Sequence, residues 1–341
     1  MGISERQVDR SETVLTRARK IADEVLFPAA PRVDAADRIP GEHLDLLAEE
    51  GFYGLAGPAE WGGLGLELST ACEVIEVFGG GCLSTAFVWI QHHSTVLSIA
   101  YGDHEDLREQ WLRSLCAGKI RAGIALGGVR PGPPLLRARQ VDDGYVFDGE
   151  VPLVTGWGMI DVLRTAARDA EDTIVFGLLD PVESTSLSAR RLELLAGNAS
   201  GTVHASFAAH FVPTERIIGT MSMDEWTARD AGGLRVNGSL ALGVTARCCR
   251  MLGASGLDAE LAERRRQLDD ASAHTLPAAR AAASELAMRS AAALVAATGS
   301  RSVLRGAHEQ RLAREALFLL VFASRPPIKQ SLLRRLTCPD R

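Results

Sequence analysis

The feature that most constrains this fold is a double change of period along the chain. Through about residue 118, apolar residues recur at helical spacing. Val14, Ala18, Ile21, Ala22 and Val25 mark a first helix, and further helical stretches cover about 41–50, 67–78, 85–101 and 106–117. From Ala122 the character changes, with proline and glycine crowding Gly127–Pro134. Tyr145–Phe147, Leu153–Thr155, Val162-Leu163, Ile174–Leu179 and Val203–Phe211 read as short strands, and Asp142-Asp143-Gly144 as a type I′ hairpin turn. Helical spacing then returns over about 224–254, 257–267, 276–297 and 308–323. Such an order predicts an α+β, mainly α protein in three packed parts: an N-terminal helical domain over 1–120, a central β domain over 121–220 and a C-terminal helical bundle over 221–341. The third bundle helix is rich in alanine, which permits close helix–helix approach.

Local punctuation refines this order. Pro28 and Pro31 are expected to end the first helix, because proline lacks a donor and crowds the preceding turn. Gly51 suits the left-handed residue that follows the second helix. Gly54–Leu66 (GLAGPAEWGGLGL) reads as a loop whose backbone passes closely over something. Gly79–Cys82 (GGGC) is expected to break the third helix. His92 and His93 point about 100° apart on a helix, which favours packing over a shared metal.

Composition narrows the function classes. With 46% hydrophobic and 23% charged residues the chain reads as an ordinary globular protein, and a net charge of −6 argues against nucleic acid as the main partner. The run Arg264–Arg266 reads either as a solvated helix face or as an anion site. Six cysteines (72, 82, 116, 248, 249 and 338) form no metal-like spacing, and Cys248-Cys249 suit a buried helix face. No apolar run approaches a membrane span, and the N-terminus is polar and helical rather than leader-like. A reduced, cytoplasmic protein is the expectation.

One C-terminal stretch bears directly on chemistry. Arg311–Gln330 (RLAREALFLLVFASRPPIKQ) begins as a helix with Leu312, Ala316, Leu319 and Leu320 on one face, and stops where Pro326 and Pro327 block continuation. A helix that breaks into a tight turn is a common way to aim a catalytic group at a pocket. This turn offers Phe322, Ala323 and Ser324, and no carboxylate.

The order of elements, together with EEGFYGLAGPAEWGGLGL (Glu49–Leu66), GYVFDGEVPLVTG (Gly144–Gly156), FAAHFVPTERIIG (Phe207–Gly219) and RLAREA (Arg311–Ala316), resembles the acyl-CoA dehydrogenase family over essentially the whole chain. The resemblance implies a C-terminal four-helix bundle, dimers or tetramers around FAD, and α,β-dehydrogenation of an acyl-CoA thioester. That reaction uses a carboxylate base at the α-carbon, donors on the thioester oxygen and hydride transfer to the flavin. By motif count the family's base falls at Ala323, so the implied set of catalytic residues in this chain is empty. A second family position for the base falls near Gly233 or Leu234, with Glu225 and Asp230 as the neighbouring carboxylates.

The ring-binding loop of the family corresponds to Leu126–Pro133 (LGGVRPGP), without its hydroxyls and acid. Thr155 keeps the threonine of a flavin-contacting strand. Arg265 and Gln267 (RRQLD, 265–269) fall on the pyrophosphate-binding phrase, and Gly299 on a glycine pair near the last helices. Phe87, Val88 and Gly79–Gly81 are candidates to line an acyl pocket, the glycines leaving room for a bulky group such as a steroid. An eroded ring site beside a retained phosphate arginine resembles the short subunits of actinobacterial heteromeric enzymes that degrade steroids. The resemblance therefore implies an α2β2 assembly with a second subunit, an electron-transfer flavoprotein or similar acceptor, and no nucleic-acid or membrane partner. Two alternatives stay open: a self-sufficient homo-oligomeric dehydrogenase with an atypical base, and a flavin-free acyl-CoA-binding or scaffold protein.

Overall fold

In the computed structural model, residues 5–129 and 132–337 are described, side chains from residue 10 onward except at 230 and 231. Arg130 and Pro131 of the ring-loop phrase, the Asp230 side chain and Cys338 lie outside them.

Helix α1 (Glu5–Ile21) runs through a π turn (Ala22–Leu26) directly into α2 (Phe27–Asp34). Pro28 and Pro31 thus lie within a continuing rod and do not end it, because the wider π turn absorbs the donor that Pro28 lacks. After α3 (Gly41–Glu49), Gly51 takes a φ of 77°. The glycine-rich loop passes over itself: the Leu64 N–H donates to the Gly54 carbonyl at 2.8 Å, and a Cβ on Gly63 would lie 2.0 Å from the Gly57 carbonyl oxygen.

Helices α4 (Leu68–Gly81) and α5 (Leu83–Ala100) correct a second expectation, because Gly79–Gly81 complete α4. Gly79 and Gly80 are glycine so that another helix, α8 (Met223–Leu252), can cross there, and Gly81 so that the π turn can. A Cβ on Gly80 would meet the Gly243 oxygen at 2.7 Å, and one on Gly243 would meet the Glu76 oxygen at 2.2 Å. The helical domain ends with α6 (Glu105–Leu107), a π turn (Arg108–Leu112) and α7 (Arg113–Cys116).

Eight strands follow among the described residues: β1 (Ala122–Ala125), β2 (Leu136–Val141), β3 (Gly144–Val154), β4 (Val162–Arg168), β5 (Thr173–Leu179), β6 (Leu187–Arg191), β7 (Val203–Pro213) and β8 (Ile217–Ser222). They form one sheet in the order β6-β7-β3-β2-β4-β5-β8. One edge of β4 is shared, parallel, between β1 (Ala122 opposite Val162) and β2 (Arg137 opposite Arg168). The β2–β3 hairpin forms, but only Asp143 takes a positive φ (61°), so its turn is not type I′.

Strand β4 is buried along its whole length, which hides alternation from a sequence reading. Leu163 and Ala167 join a core inside the sheet, while Val162 and Ala166 pack with Val96, Ile99 and Leu115 of the helical domain.

The chain closes with α8, α9 (Gly256–Asp269), α10 (Leu276–Thr298), α11 (His308–Val321) and α12 (Pro326–Thr337). Ala281, Ala282, Ala283, Ala287 and Ala291 of α10 are wholly buried, so small side chains set the inter-helix spacing. Helix α12 is unforeseen by the periodicity. The double proline that stops α11 also starts α12, where its missing donors are not needed.

Candidate functional site

The site is built around the break between α11 and α12. Helix α11 ends as the Phe322 N–H donates to the Phe318 carbonyl (2.9 Å), and Ala323 then takes a φ of 50°. The free Leu319 carbonyl near this helix end is capped from α10: Ser284 Oγ donates at 2.9 Å and Arg280 Nη2 at 3.4 Å. Arg280 is 1% exposed, and burial pulls its guanidinium down to about 10. A cation at the negative end of a helix dipole offsets part of that cost. Against the turn stand three phenylalanine rings. Phe87 meets Phe318 at 5.1 Å and Phe322 at 5.0 Å, both edge-on, and the latter two stack at 5.5 Å.

Of the alternative carboxylates Glu225 is described, and it is engaged elsewhere. Glu225 is the third helical residue of a capping box at the start of α8, where its Oε2 accepts from the Ser222 N–H at 3.0 Å. Hydrogen bonds from Ser222 hold its carboxyl below the ordinary range, which weakens it as a base. Leu234 is buried and Gly233 faces open space.

Thr155 follows the end of β3 and is buried. Its Oγ1 lies 3.2 Å from that of Thr202, which in turn lies 2.8 Å from Ser200 Oγ. Three hydroxyls bring three protons to two hydrogen bonds, so one proton is left over, at one end of the chain or on Thr202 when both ends donate to it. Thr155 can donate outward only when the order runs Ser200 to Thr202 to Thr155. Sequence reading missed Ser200 and Thr202; the positive φ of Gly197 (72°) and Gly201 (61°), within GNASGT, was the available signal of a tight turn here.

Arg265, Gln267 and Gly299 are not drawn together with Thr155. Arg265 forks onto Glu76 of α4, its Nε 3.0 Å from Oε2, with Nη2 on Oε1. That hydrogen bonding raises its guanidinium further. Gln267 accepts from Arg264 Nη1 (2.7 Å) and donates to Glu263 (2.8 Å). Asp269, at the phrase's glycine position, is held by Arg235 at 2.5 Å. Gly299 closes α10 with a φ of 74° and open space where a Cβ would stand. Helices α9 and α10 form a hairpin in which Arg289 Nη1 donates to Glu260 (2.9 Å). On that register Arg265 and Gly299 lie roughly 20 Å apart along the axis.

His92 and His93 are packed rather than exposed. His92 Nδ1 accepts from the Ala122 N–H at 3.0 Å and burial pushes the ring down to about 3; His93 lies 4.5 Å edge-on from Trp89. Among the described residues no group of three or more His, Cys, Asp or Glu could hold a metal.

The sheet between two helical bodies, with a flavin-type phrase order along it, defines the acyl-CoA dehydrogenase fold. Residues 9–119 match the family described as acyl-CoA dehydrogenase, N-terminal domain. The chain is 29% identical over 161 residues to cyclohex-1-ene-1-carbonyl-CoA dehydrogenase of Geobacter metallireducens, covering 46% of this chain and 42% of the relative. It superposes on butyryl-CoA dehydrogenase of Megasphaera elsdenii with a TM-score of 0.81 at 16% identity, over 98% of this chain and 97% of that one. The FAD complex of PigA superposes with a TM-score of 0.81 at 17% identity, over 100% of each chain. The match to the curated relatives spans about half of their length, from 40% to 54%. These likenesses support the acyl-CoA dehydrogenase family for this chain.

Whether the residues fit FAD is judged on the donors they leave free. The loop Leu126–Gly128 carries no hydroxyl and packs on its own sheet, a Cβ on Gly127 falling 2.9 Å from the Pro152 oxygen and one on Gly128 2.9 Å from Leu136. Among its described residues this loop offers a flavin ring no side-chain donor. On the other half, Arg265 stays 39% exposed with Nη1 free while its Nε and Nη2 fork is held by Glu76, so that donor can turn to a pyrophosphate.

Proposed function

We propose that this chain is a subunit of a flavin-dependent acyl-CoA dehydrogenase, whose base and flavin-ring contacts come from a second, related subunit in an α2β2 assembly. The observation that carries this reading is Ala323: the turn that should aim a carboxylate is built and braced, yet holds a methyl group. FAD, when bound, supplies the hydride acceptor for an acyl-CoA thioester, and an electron-transfer flavoprotein or similar carrier would reoxidise it. Arg265 and Gln267 would hold its pyrophosphate side, and Gly299 would let backbone approach it closely; the Leu319 cap fixes the turn, and Thr155 has one proton to offer only in one hydroxyl order. Activity in the cytoplasm, on a steroid-type acyl group, belongs to the same reading through the resemblance of the short subunits. The glycine run that suggested room for such a group gives it no support, because Gly79 and Gly80 are filled by Leu240 and Gly243.

Co-expression tests the proposal. The chain alone, and the chain with a related protein encoded beside it, are purified and compared for flavin absorbance and for oxidation of CoA thioesters by an artificial acceptor. Flavin and turnover only in the pair are expected. Strong flavin and turnover from the lone chain would overturn the reading in favour of a self-sufficient enzyme, and a flavinless, inactive pair would favour a scaffold.

A further inference from the structure

The residues that the sequence nominates for an acyl pocket are all in packed contact. Gly79 and Gly80 abut α8, where a Cβ on Gly79 would lie 3.3 Å from Leu240. Gly81 abuts the π turn, 3.2 Å from Ala22. Val88 lies 3.5 Å from where Gly156 would carry a Cβ, next to Thr155. Phe87 is 6% exposed and wedges edge-on between Phe318 and Phe322, directly under the turn at Ala323. The neighbouring Gln91 is spent within its own helix, its Nε2 donating to the Phe87 carbonyl at 3.3 Å. Two concavities of about 670 and 490 Å³ lie elsewhere, one between α1–α2 and α3, the other between the 132–133 loop, the β4–β5 turn and the start of α8.

From this packing we propose that Phe87, Phe318 and Phe322 close this chain's own acyl subsite, so that the subunit discriminates against every acyl group at the vacant turn. The inference rests on the subunit reading above and goes beyond it: the lost base and the filled pocket are separate departures, and restoring one would not restore the other. Three rings in edge and stacked contact leave no space for a methylene chain without a rotamer change against a buried helix. The turn geometry reinforces the closure. The Phe322 and Ser324 N–H groups both donate back into α11, to Phe318 and Val321, so the backbone that carries the Phe322 ring is tied to the helix end that Arg280 and Ser284 brace.

The test measures binding of free CoA, butyryl-CoA, hexanoyl-CoA and octanoyl-CoA to the full chain by calorimetry. An open apolar pocket tightens binding about 15-fold for two added methylenes. Wild type is expected to show less than about a two-fold spread across the series. Phe87→Ala and Phe322→Ala are expected to acquire acyl-length dependence of at least about five-fold per two methylenes, and to gain thermal stability from benzene, which enters dry cavities of this kind. Phe87→Leu, which keeps most of the packing, covers the case in which Phe87→Ala fails to fold. Acyl-length dependence in wild type would overturn the closure. So would a flat series in folded Phe322→Ala and Phe87→Leu, because the rings would then fill something other than an acyl subsite. Neither result touches the subunit reading, which is decided by flavin content and turnover of the pair.

Discussion

Arg311 and Glu315 belong to the RLAREA phrase, and both are buried, 1% and 2% exposed, one helical turn apart on α11. Arg311 Nη1 lies 2.6 Å from Glu315 Oε1, Nη2 contacts His308 Nδ1 at 3.1 Å, and the guanidinium stands 5.6 Å over the ring of Phe27 in α2. Glu315 Oε2 and Arg311 Nε have no protein partner. Burial therefore outweighs the attraction of Arg311 and raises the Glu315 carboxyl. The sign follows: a raised carboxyl favours the folded state fully below its ordinary range, and that contribution is lost as pH rises through the raised value. Arg311→Met leaves a buried, unpaired carboxylate and should cost about 3–5 kcal/mol near neutral pH. Arg311→Met with Glu315→Leu removes both charges and should lie within about 1 kcal/mol of wild type, far below the sum of the two single variants. Because loss of Arg311 raises the carboxyl further, acidification from about pH 7 to about pH 5 should return up to about 1.4 kcal/mol per pH unit to the single variant relative to wild type. Urea midpoints at both pH values, with slopes checked for constancy, measure all of this. A single variant costing under about 1 kcal/mol, or a double variant costing the sum of its singles, would refute the argument.

Three further outcomes are expected. Ala323→Glu places a carboxylate at a φ of 50° whose left-handed cost the Cβ of alanine already bears, so it should change stability little and give the lone chain no turnover with an artificial acceptor. Turnover would mean that a base was all this chain lacked. Gly243→Ala drives a methyl to 2.2 Å from the Glu76 carbonyl oxygen and should cost about 3 kcal/mol or more, read as lost soluble yield or a lowered melting temperature. Burial holds the His308 imidazole down to about 4 from 6.5. The unfolded chain then takes up a proton in that window first, so wild-type stability falls as pH drops from 6.5 towards 4, and His308→Gln should show a flatter profile by up to one proton.

Much of the architecture was legible because long amphipathic helices carry their period in the sequence, and the helix–sheet–helix order followed from it. The errors have physical causes. Gly79–Gly81 suggested a break when taken alone, but close approach by α8 and by the π turn required glycine inside the helix. Pro28 and Pro31 suggested an end, but a π turn carried the rod past them. Pro326 and Pro327 stopped one helix and also opened another. That Ala323 falls in the turn after α11 was readable, since the helix before it is strongly periodic. The Thr155–Thr202–Ser200 chain was not, because hydroxyls on short turns show no period. Nor was the Arg265–Glu76 fork, whose partners are separated by 189 positions.

That fork bears on what the family likeness can carry. The charged residues of RLAREA are all used inside the chain: Arg311 on Glu315, and Arg314 on Asp34 and on the Leu195 carbonyl at 2.7 Å. Arg265 is held by Glu76 in the same way. Arg216, from the VPTERIIG part of another matching phrase, pairs with Asp180 at 3.0 Å. Two of these contacts, Arg314 with Asp34 and Arg265 with Glu76, join the C-terminal helices to the N-terminal ones, and Arg314 with the Leu195 carbonyl reaches the β part. Departed positions also carry internal contacts: the Gly132 carbonyl of the 126–133 loop accepts from Arg168 at 2.6 Å, and Asp269 accepts from Arg235 at 2.5 Å. On the subunit reading proposed above, such internal ion pairs would keep the fold for assembly while the chemistry is carried by another chain.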